Sequence, residues 1–225
     1  MKKCLSVLFL VSWSFSGTAL GGLILVDTTT RNGGFESYTT DQGDGIGRFT
    51  SMQYWFNYGG GSETATDGRS TNPVYAGTYS AIVSAASVPS INTGHAITAA
   101  DQYTLAFANR SNSTTAYDIR WVLYYYTNEG QGGFDETSDT TGTTLLSGTL
   151  TVPTVAWNVS TVASDAGFSN PGALGKTLYM RFERVSGAGF PRVDDVTLSV
   201  IPEPGTLGLV LAFGVAAVIR RHRIG

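Results

Sequence analysis

Few residues in this chain of 225 could carry out catalysis. It has two histidines, His95 and His222, and one cysteine, Cys4. Zinc catalysis with the usual histidine and cysteine ligands needs several such side chains, so we exclude it. A serine hydrolase would depend on His95, yet the chain has no Gly-x-Ser-x-Gly elbow and Gly94-His95-Ala96 is predicted to lie in a loop. His95 is therefore predicted to be an ordinary loop residue.

Hydrolysis of a glycoside needs only two carboxyl groups at a suitable separation. The chain has 17 acidic residues, and no motif marks a pair of them. Pairing Glu183 with Asp194 or Asp195 would place acids on neighbouring predicted strands. A secreted polysaccharide-acting hydrolase therefore remains an alternative to a noncatalytic function.

Two polar loops contain acidic residues at short spacing. In the first, 41–47, a calcium-binding hand would need a bidentate acid at its twelfth position, which is Met52. A nucleotide loop would need a following helix, whereas the segment from Arg48 has the pattern of a strand. We interpret 41–47 as a glycine-rich turn. The acidic group within 135–139 is predicted to be a solvated loop, with a second cation site as the alternative.

The elements that position these residues are predicted to be strands. Gly, Ser, Thr and Asn separate short runs of high β-propensity, without internal repeats or helical periodicity. The segment 118–127 is partly apolar on both faces, which predicts a central strand. The segment Thr177–Arg184 alternates more cleanly. Its inward residues are predicted to be Leu178, Met180 and Phe182, and its outward, solvated residues Tyr179, Arg181 and Glu183.

Eight or nine strands joined by turn-rich links predict an all-β fold. The further strands are predicted at 23–27, 48–58, 79–84, 103–109, 143–152, 156–159 and 192–200. This number favours a two-sheet β-sandwich with jelly-roll topology. We expect a signal-peptide helix before this domain and a short hydrophobic helix after it.

The N-terminus has the pattern of a secretory signal peptide. Lys2 and Lys3 precede the apolar segment Cys4–Phe15, and small residues follow up to Ala19. Cleavage after Ala19 would leave 1–19 with the secretion translocon, and cleavage after Gly21 fits nearly as well. The exported domain, 20–201, then has no cysteine and depends on its core, or on metal ions, for stability.

The C-terminus, 202–225, has three successive parts. They are the triplet Pro202, Glu203 and Pro204, the uncharged segment 207–219, and the cluster Arg220, Arg221, His222 and Arg223. An apolar run of 13 residues is short for a permanent membrane span, which needs about 20. The arginines favour the cytoplasmic side. We therefore expect a transient hold in the inner membrane.

This three-part tail resembles the PEP-CTERM sorting signal of Gram-negative bacteria. The resemblance implies that a membrane protease of the exosortase type removes the tail and that the protein reaches the cell surface or extracellular matrix. Without Lys2, Lys3 and the three tail arginines, and without Glu203, the 14 basic and 17 acidic residues become 9 and 16, a net charge of −7. That charge repels nucleic acid, so we exclude it as a partner.

The two ends of the exported domain resemble those of carbohydrate-binding, galactose-binding-like jelly rolls. The segment Arg31–Glu36 opens it with Asn-x-x-Phe-Glu, and Arg192–Leu198 closes it with Asp-Asp-Val. The resemblance implies that these ends lie together. It also implies that Glu36 and Asp194 hold a structural calcium ion, with backbone carbonyls completing the shell.

Two aromatic clusters, 54–58 and 124–126, are candidates for stacking on sugar rings. Tyr125 is predicted to face the core, whereas Tyr124 and Tyr126 lie on the opposite face of their strand. We expect Tyr124, Tyr126 and Trp55 to be exposed, with the face of residues 54 and 56 as the alternative to Trp55. The sequence thus predicts a noncatalytic exported surface or matrix protein that binds extracellular polysaccharide. A purely structural surface protein is the second alternative.

Overall fold

The computed structural model describes residues 22–41, 48–59, 66–67, 74–111, 114, 116–152, 156–163, 170–187 and 190–201. These residues form an all-β jelly-roll sandwich of two antiparallel sheets, as predicted. The predicted signal peptide, 1–19, the sorting signal, 202–225, and most of the glycine-rich turn 41–47 lie outside them. No helix within the described residues is long and apolar enough to cross a membrane.

The described part of the chain contains thirteen strands. In chain order they are β1 Leu23–Val26, β2 Tyr38–Asp41, β3 Arg48–Met52, β4 Trp55–Asn57, β5 Thr66–Asp67, β6 Ala81–Ile82, β7 Pro89–Ala96, β8 Gln102–Arg110, β9 Tyr117–Tyr125, β10 Thr143–Val152, β11 Asn158–Ala163, β12 Thr177–Arg184 and β13 Arg192–Ile201. The larger sheet has the order β11-β8-β13-β6-β5-β3-β2, with β1 also paired to β13. The smaller, five-stranded sheet has the order β10-β9-β12-β7-β4. A short 3-10 helix, Pro171–Ala173, precedes β12.

The predicted number of eight or nine strands is too low, since the described residues contain thirteen, and the local prediction is wrong at two places. The predicted single strand 48–58 is divided between the sheets, because the chain turns at Gln53 and Tyr54, where Tyr54 has a φ of 70°. As a result β3 belongs to the larger sheet and β4 to the smaller one. His95 is also not in a loop, because it lies in β7, which pairs with both β4 and β12.

Other predictions are confirmed. Strands β10 and β12 have the predicted bounds, and β9 is central because it pairs with β10 on one side and β12 on the other. Leu178, Met180 and Phe182 face inward and are fully buried. Facing rings of the two sheets meet in this core, as Phe107 of β8 and Phe182 of β12 do with 4.9 Å between their centroids. Burial of these inward faces holds the sheets together.

The two ends of the domain lie together, as the resemblance implied. The backbone N–H of Val196 in β13 donates to the carbonyl of Gly33 at 2.9 Å. A side chain at Gly33 would overlap the Val196 carbonyl oxygen, so only glycine permits this approach. Asn32 fixes the turn through its side chain, which accepts from the N–H of Ser37 at 3.0 Å and donates to its carbonyl at 2.8 Å. This turn places Glu36 close to β13.

Candidate ligand-binding face

The outward face of the five-stranded sheet carries a layer of tyrosines. Tyr124 and Tyr126 have 5.4 Å between their ring centroids, and Tyr179 of β12 lies 5.4 Å from Tyr124 and 5.0 Å from Tyr126. All three rings are fully buried, so the prediction that Tyr124 and Tyr126 are exposed is wrong. The prediction that the outward side of β12 is solvated is also wrong for Tyr179 and Arg181, which are both buried. The alternation of β9 assigned them correctly to the outward face, but it does not show what covers that face.

The loop 127–142 covers this layer. The ring of Phe134 packs on that of Tyr126 with 5.0 Å between centroids, and the Tyr126 hydroxyl donates to the carbonyls of Glu136 at 3.2 Å and Asp139 at 3.1 Å. The Glu136 carboxylate accepts from the Tyr179 hydroxyl at 3.0 Å and from the Asn92 amide at 2.8 Å. The acidic group within 135–139 is thus partly tied to the sheet. No group of three His, Cys, Asp or Glu side chains suited to a metal occurs in the described residues, this loop included.

Trp55 also differs from its prediction. Its ring faces the core, where it packs on Phe35 at a centroid distance of 4.8 Å, and its indole N–H donates to the carbonyl of Asn32 at 3.1 Å. The alternative left open by the sequence is the correct one, because Tyr54 is exposed and Phe56 is half-buried on the outward side. Phe56 meets the edge of Tyr179 with 6.5 Å between centroids.

Arg181 lies in the middle of the outward face, between two aromatic rings. Its guanidinium carbon is 4.0 Å from the ring centre of Tyr58 and 4.5 Å from that of Tyr124. Its Nε donates to the Glu183 carboxylate at 2.5 Å. Its Nη1 is buried and has no hydrogen-bond partner within the described residues. The guanidinium is therefore held in place by two rings and one carboxylate, and one of its donor groups remains unsatisfied.

Beyond Arg181 the same face opens to solvent. The side chain of Glu183 is 24% exposed and that of Arg120 is 38% exposed, and their closest charged atoms are 3.8 Å apart. Arg120 also donates to the hydroxyl of Ser147 on β10 at 3.2 Å. Tyr58, Tyr124, Arg181, Glu183 and Arg120 together are here named the Arg181 face. Tyr124 and Arg181 are themselves buried, so the accessible part of this patch is the half-buried ring of Tyr58 with the charged side chains of Glu183 and Arg120.

Tyr124 acts as a neutral support within this patch. Burial raises the pKa of Tyr124, and only partly offsetting contributions come from hydrogen bonds with Ser90 and Tyr126 and from the charge of Arg181. The Tyr124 hydroxyl lies 2.5 Å from that of Ser90. Tyr58 is tied to the covering loop, because its hydroxyl donates to the carbonyl of Thr140 at 2.7 Å. The rings around Arg181 are thus fixed on both sides.

Glu36 and Asp194, the candidate calcium ligands, meet at one loop on the other sheet. Asp194 accepts from the backbone N–H groups of Tyr75 at 2.9 Å and Ala76 at 3.2 Å, and Glu36 accepts from those of Thr78 at 2.8 Å and Tyr79 at 3.0 Å. Burial raises the pKa of Asp194 to about 7. Backbone hydrogen bonds oppose this rise, and the nearby charge of Glu36 adds to it.

These two carboxylates suit a hard cation. Calcium prefers oxygen ligands, and a cation beside them would relieve both the burial of the Asp194 charge and its repulsion by Glu36. Main-chain carbonyls would have to complete the ligand shell of the calcium ion, because no third His, Cys, Asp or Glu joins the pair among the described residues. The residues present therefore fit a calcium ion.

The residues considered for hydrolysis do not come together. Glu183 lies on β12 of the five-stranded sheet, whereas Asp194 and Asp195 lie on β13 of the other sheet. The prediction that they occupy neighbouring strands is wrong. His95 contacts Asp101 at 2.7 Å, and this buried carboxylate also accepts from Thr98 and Tyr103. Burial alone would raise the pKa of Asp101, but these hydrogen bonds outweigh it and lower the pKa. His95 thus belongs to a structural network.

Comparison with solved structures supports the fold. No family model and no curated protein matches the chain. The CBM22-1 xylan-binding domain from Paenibacillus barcinonensis Xyn10C is similar with a TM-score of 0.51 and 15% identity, over 80% of this chain and 96% of that one. The Stig cyclase Fisc from Fischerella sp. TAU, in complex with (3Z)-3-(1-methyl-2-pyrrolidinylidene)-3H-indole, is similar with a TM-score of 0.54 and 16% identity, over 76% and 96% of the two chains. At such identities these likenesses establish the shared jelly-roll fold. They do not establish an activity, because one fold hosts many.

The sequence identified only part of the Arg181 face. Alternation along β12 placed Arg181 and Glu183 on the outward side, but we did not single them out as site residues. Tyr58 and Arg120 were missed as partners, because Tyr58 reaches Arg181 from the turn after β4 and Arg120 reaches Glu183 from β9. The charged pair Arg181 and Glu183, at alternate positions of β12, is the sequence signal that would have indicated this face.

Proposed function

We propose that this protein is a noncatalytic glycan-binding protein and that the Arg181 face is its binding site. The observation that carries the proposal is the Arg181 guanidinium, fixed between Tyr58 and Tyr124 beside the partly exposed Glu183 and Arg120. Sugars present hydroxyl groups, which need donors and acceptors, and apolar ring faces, which pack on aromatic surface. Arg120 and Glu183 supply the polar contacts, and the half-buried ring of Tyr58 supplies the apolar surface, while the buried Arg181 and Tyr124 hold these groups in place.

The preorganisation of this face also supports binding. Holding Arg181 between two rings removes side-chain freedom that would otherwise be lost when a ligand binds. The salt bridge between Arg120 and Glu183 fixes the exposed part in the same way. The xylan-binding domain among the structural neighbours is consistent with a glycan as ligand. The cyclase has a similar fold but a different kind of ligand, so the fold alone does not predict the ligand and glycan binding has to be tested.

The test is retention of the protein, expressed from the full-length chain, in native gels that contain soluble xylan or the host's own extracellular polysaccharide. Glu183→Gln removes charge at constant size, and Arg120→Gln removes charge with a somewhat shorter polar side chain. Each should weaken retention about tenfold, because hydrogen bonds to charged groups are stronger than neutral ones. Asp195→Asn on the opposite sheet is the matched control and should have no effect. Melting curves verify that each variant is folded.

Three results would contradict the proposal. Absence of retention by either polysaccharide, with folded protein, would favour a purely structural surface protein. Release of new reducing ends in the same incubations would favour the hydrolase. Unchanged retention of both charge variants would move the binding site away from the Arg181 face.

We further propose that the protein is exported and sorted through its two ends. The signal-peptide pattern of 1–19 supports passage through the secretion translocon. The triplet at 202–204, the apolar segment and the arginine cluster support recognition by an exosortase-type membrane protease. The protein would then pass through the inner membrane to the cell surface or extracellular matrix, where a glycan-binding protein meets polysaccharide.

We also propose that Glu36 and Asp194 hold a structural calcium ion. Their convergence on one loop and the raised pKa of Asp194 support this proposal. The ion would neutralise two carboxylates that lie at the junction of the domain's ends. Its role would be stability and not catalysis.

A further inference from the structure

We propose that the protein has a second glycan-binding surface, formed by Tyr75 and Trp157 on the outward face of the larger sheet. We name these two residues the Tyr75 platform. The side chain of Tyr75 is 44% exposed and Trp157 is half-buried, and their ring centroids are 5.9 Å apart at an interplanar angle of 60°. The platform shares no residue with the Arg181 face and would bind independently of it.

The register of the strands places the platform on the side of the molecule opposite the Arg181 face. Val193 of β13 belongs to the core between the sheets, so its neighbour Asp194 points outward from the larger sheet. The backbone of Tyr75 lies over Asp194, whose carboxylate accepts the N–H of Tyr75 at 2.9 Å. The Arg181 face points outward from the smaller sheet. The two surfaces therefore face in opposite directions.

Both rings of the platform are held in position. Trp157 directly precedes β11, and the guanidinium of Arg110, at the end of the neighbouring strand β8, lies 5.7 Å from the centre of its ring. The loop that carries Tyr75 is fixed through the carboxylates of Asp194 and Glu36, which accept four of its backbone N–H groups. An exposed aromatic side chain on a firmly bound loop is typical of a recognition surface. The loop is already ordered, so binding a ligand costs little further conformational entropy.

A sugar ring fits this platform better than a protein partner does. A stable protein interface buries about 800 Å² on each side, which is far more than two partly covered rings provide. The planes of the two rings are inclined at 60°, and Tyr75 is the more exposed of the two, so its ring offers the surface on which the apolar face of one sugar unit can stack. Thr161 of β11 is exposed and, by the alternation of the strand, lies on the same face as Trp157. Its hydroxyl can contact a neighbouring unit of the bound sugar chain.

Two binding surfaces on opposite faces would allow one molecule to connect two polysaccharide chains. Such a protein converts two weak contacts into firm retention in a matrix, because the second contact is made at a high effective concentration. It also makes a soluble polysaccharide turbid by cross-linking it. A protein with one surface retains the polysaccharide without cross-linking it.

The experiment uses the protein expressed from the full-length chain, with the host's soluble extracellular polysaccharide and soluble xylan as probes. Gel retention measures affinity and light scattering measures cross-linking. Tyr75→Ala combined with Trp157→Ala should abolish scattering and weaken retention severalfold, while the effect of Glu183→Gln on the remaining retention persists. Leu174→Ala is the matched control, because Leu174 is 45% exposed and belongs to neither surface. It should change neither reading.

The variants Tyr75→Phe and Trp157→Phe distinguish stacking from folding. They keep an aromatic ring at each position and should keep most of the scattering, with melting curves near that of the unsubstituted protein. Unchanged scattering and retention in the double alanine variant, verified as folded, would overturn the proposal. Loss of retention in that variant, together with no effect of Glu183→Gln, would instead leave the Tyr75 platform as the only site and overturn the Arg181 face.

Discussion

Glu36 and Asp194 hold opposite ends of one short loop. Asp194 binds the backbone N–H groups of Tyr75 and Ala76, and Glu36 binds those of Thr78 and Tyr79. Glu36 comes from the beginning of the domain and Asp194 from its last strand. One pair of carboxylates therefore joins both ends of the domain to the loop that presents Tyr75, so the charge state of this pair affects both stability and a proposed binding surface.

In the presence of a chelator, the stability of the folded protein should decrease as the pH rises. Because the pKa of Asp194 is about 7 when folded and its ordinary value is 3.8, the folded state binds the proton more tightly than the unfolded chain. The stability from this group is complete below about pH 4 and is lost as the pH rises through about 7, by up to about 4 kcal/mol. Asp194→Asn should remove this slope. Denaturant unfolding at several pH values measures it, and identical slopes in both proteins would refute the assignment.

Calcium should reverse the destabilising effect of the two charges. An ion bound only to the folded protein stabilises it by mass action, and at about 100 times its Kd it should raise the Tm by about 5–10 °C. Chelation should remove that increase. Glu36→Gln should abolish the response to calcium, whereas Asp135→Asn, in an exposed turn, should retain it. A melting curve that does not respond to calcium or chelator would remove the metal from this pair.

Gly33 should tolerate no side chain. A Cβ there would overlap the carbonyl oxygen of Val196, in the backbone of β13, which cannot move aside as a flexible side chain can. Gly33→Ala should therefore destabilise the domain by about 3 kcal/mol or more. Gly132→Ala is the control, since its Cβ would have no atom within 4 Å. Equal unfolding midpoints for the two variants would show that the ends of the domain do not pack in this way.

The protein isolated from its own cell envelope should lack both end segments. Intact mass and terminal peptides should show a chain that begins after Ala19 or Gly21 and that no longer carries the arginine cluster of 220–223. Replacing the triplet 202–204 by alanines should leave the tail in place, because the protease would lose its recognition element. A mature protein that keeps its tail would identify 202–225 as an anchor.

The strand pattern was the most predictable part of this molecule. Strands β10 and β12 have the bounds that their sequences indicate, because alternation of apolar and polar residues is a local property. The prediction failed at 48–58, where one β-prone run serves two sheets. The turn at Gln53 and Tyr54 carries no glycine or proline to reveal it. It is stabilised by nonlocal contacts, including the bond from the Gln53 N–H to the carbonyl of Ser37 at 3.0 Å.

The sequence by itself determined the all-β class and the inward face of β12, and the meeting of the domain's two ends was implied by a resemblance. Only the tertiary structure decided which aromatic rings are accessible. Alternation assigns Tyr124 and Tyr126 to a face, but the loop 127–142 covers that face. Likewise Tyr58 reaches Arg181, and Tyr75 reaches Trp157, across long stretches of chain. Hydrophobic periodicity and strand propensity depend on near neighbours in the sequence. Accessibility depends on which distant segments pack together, so the candidate binding surfaces could be identified only from the fold.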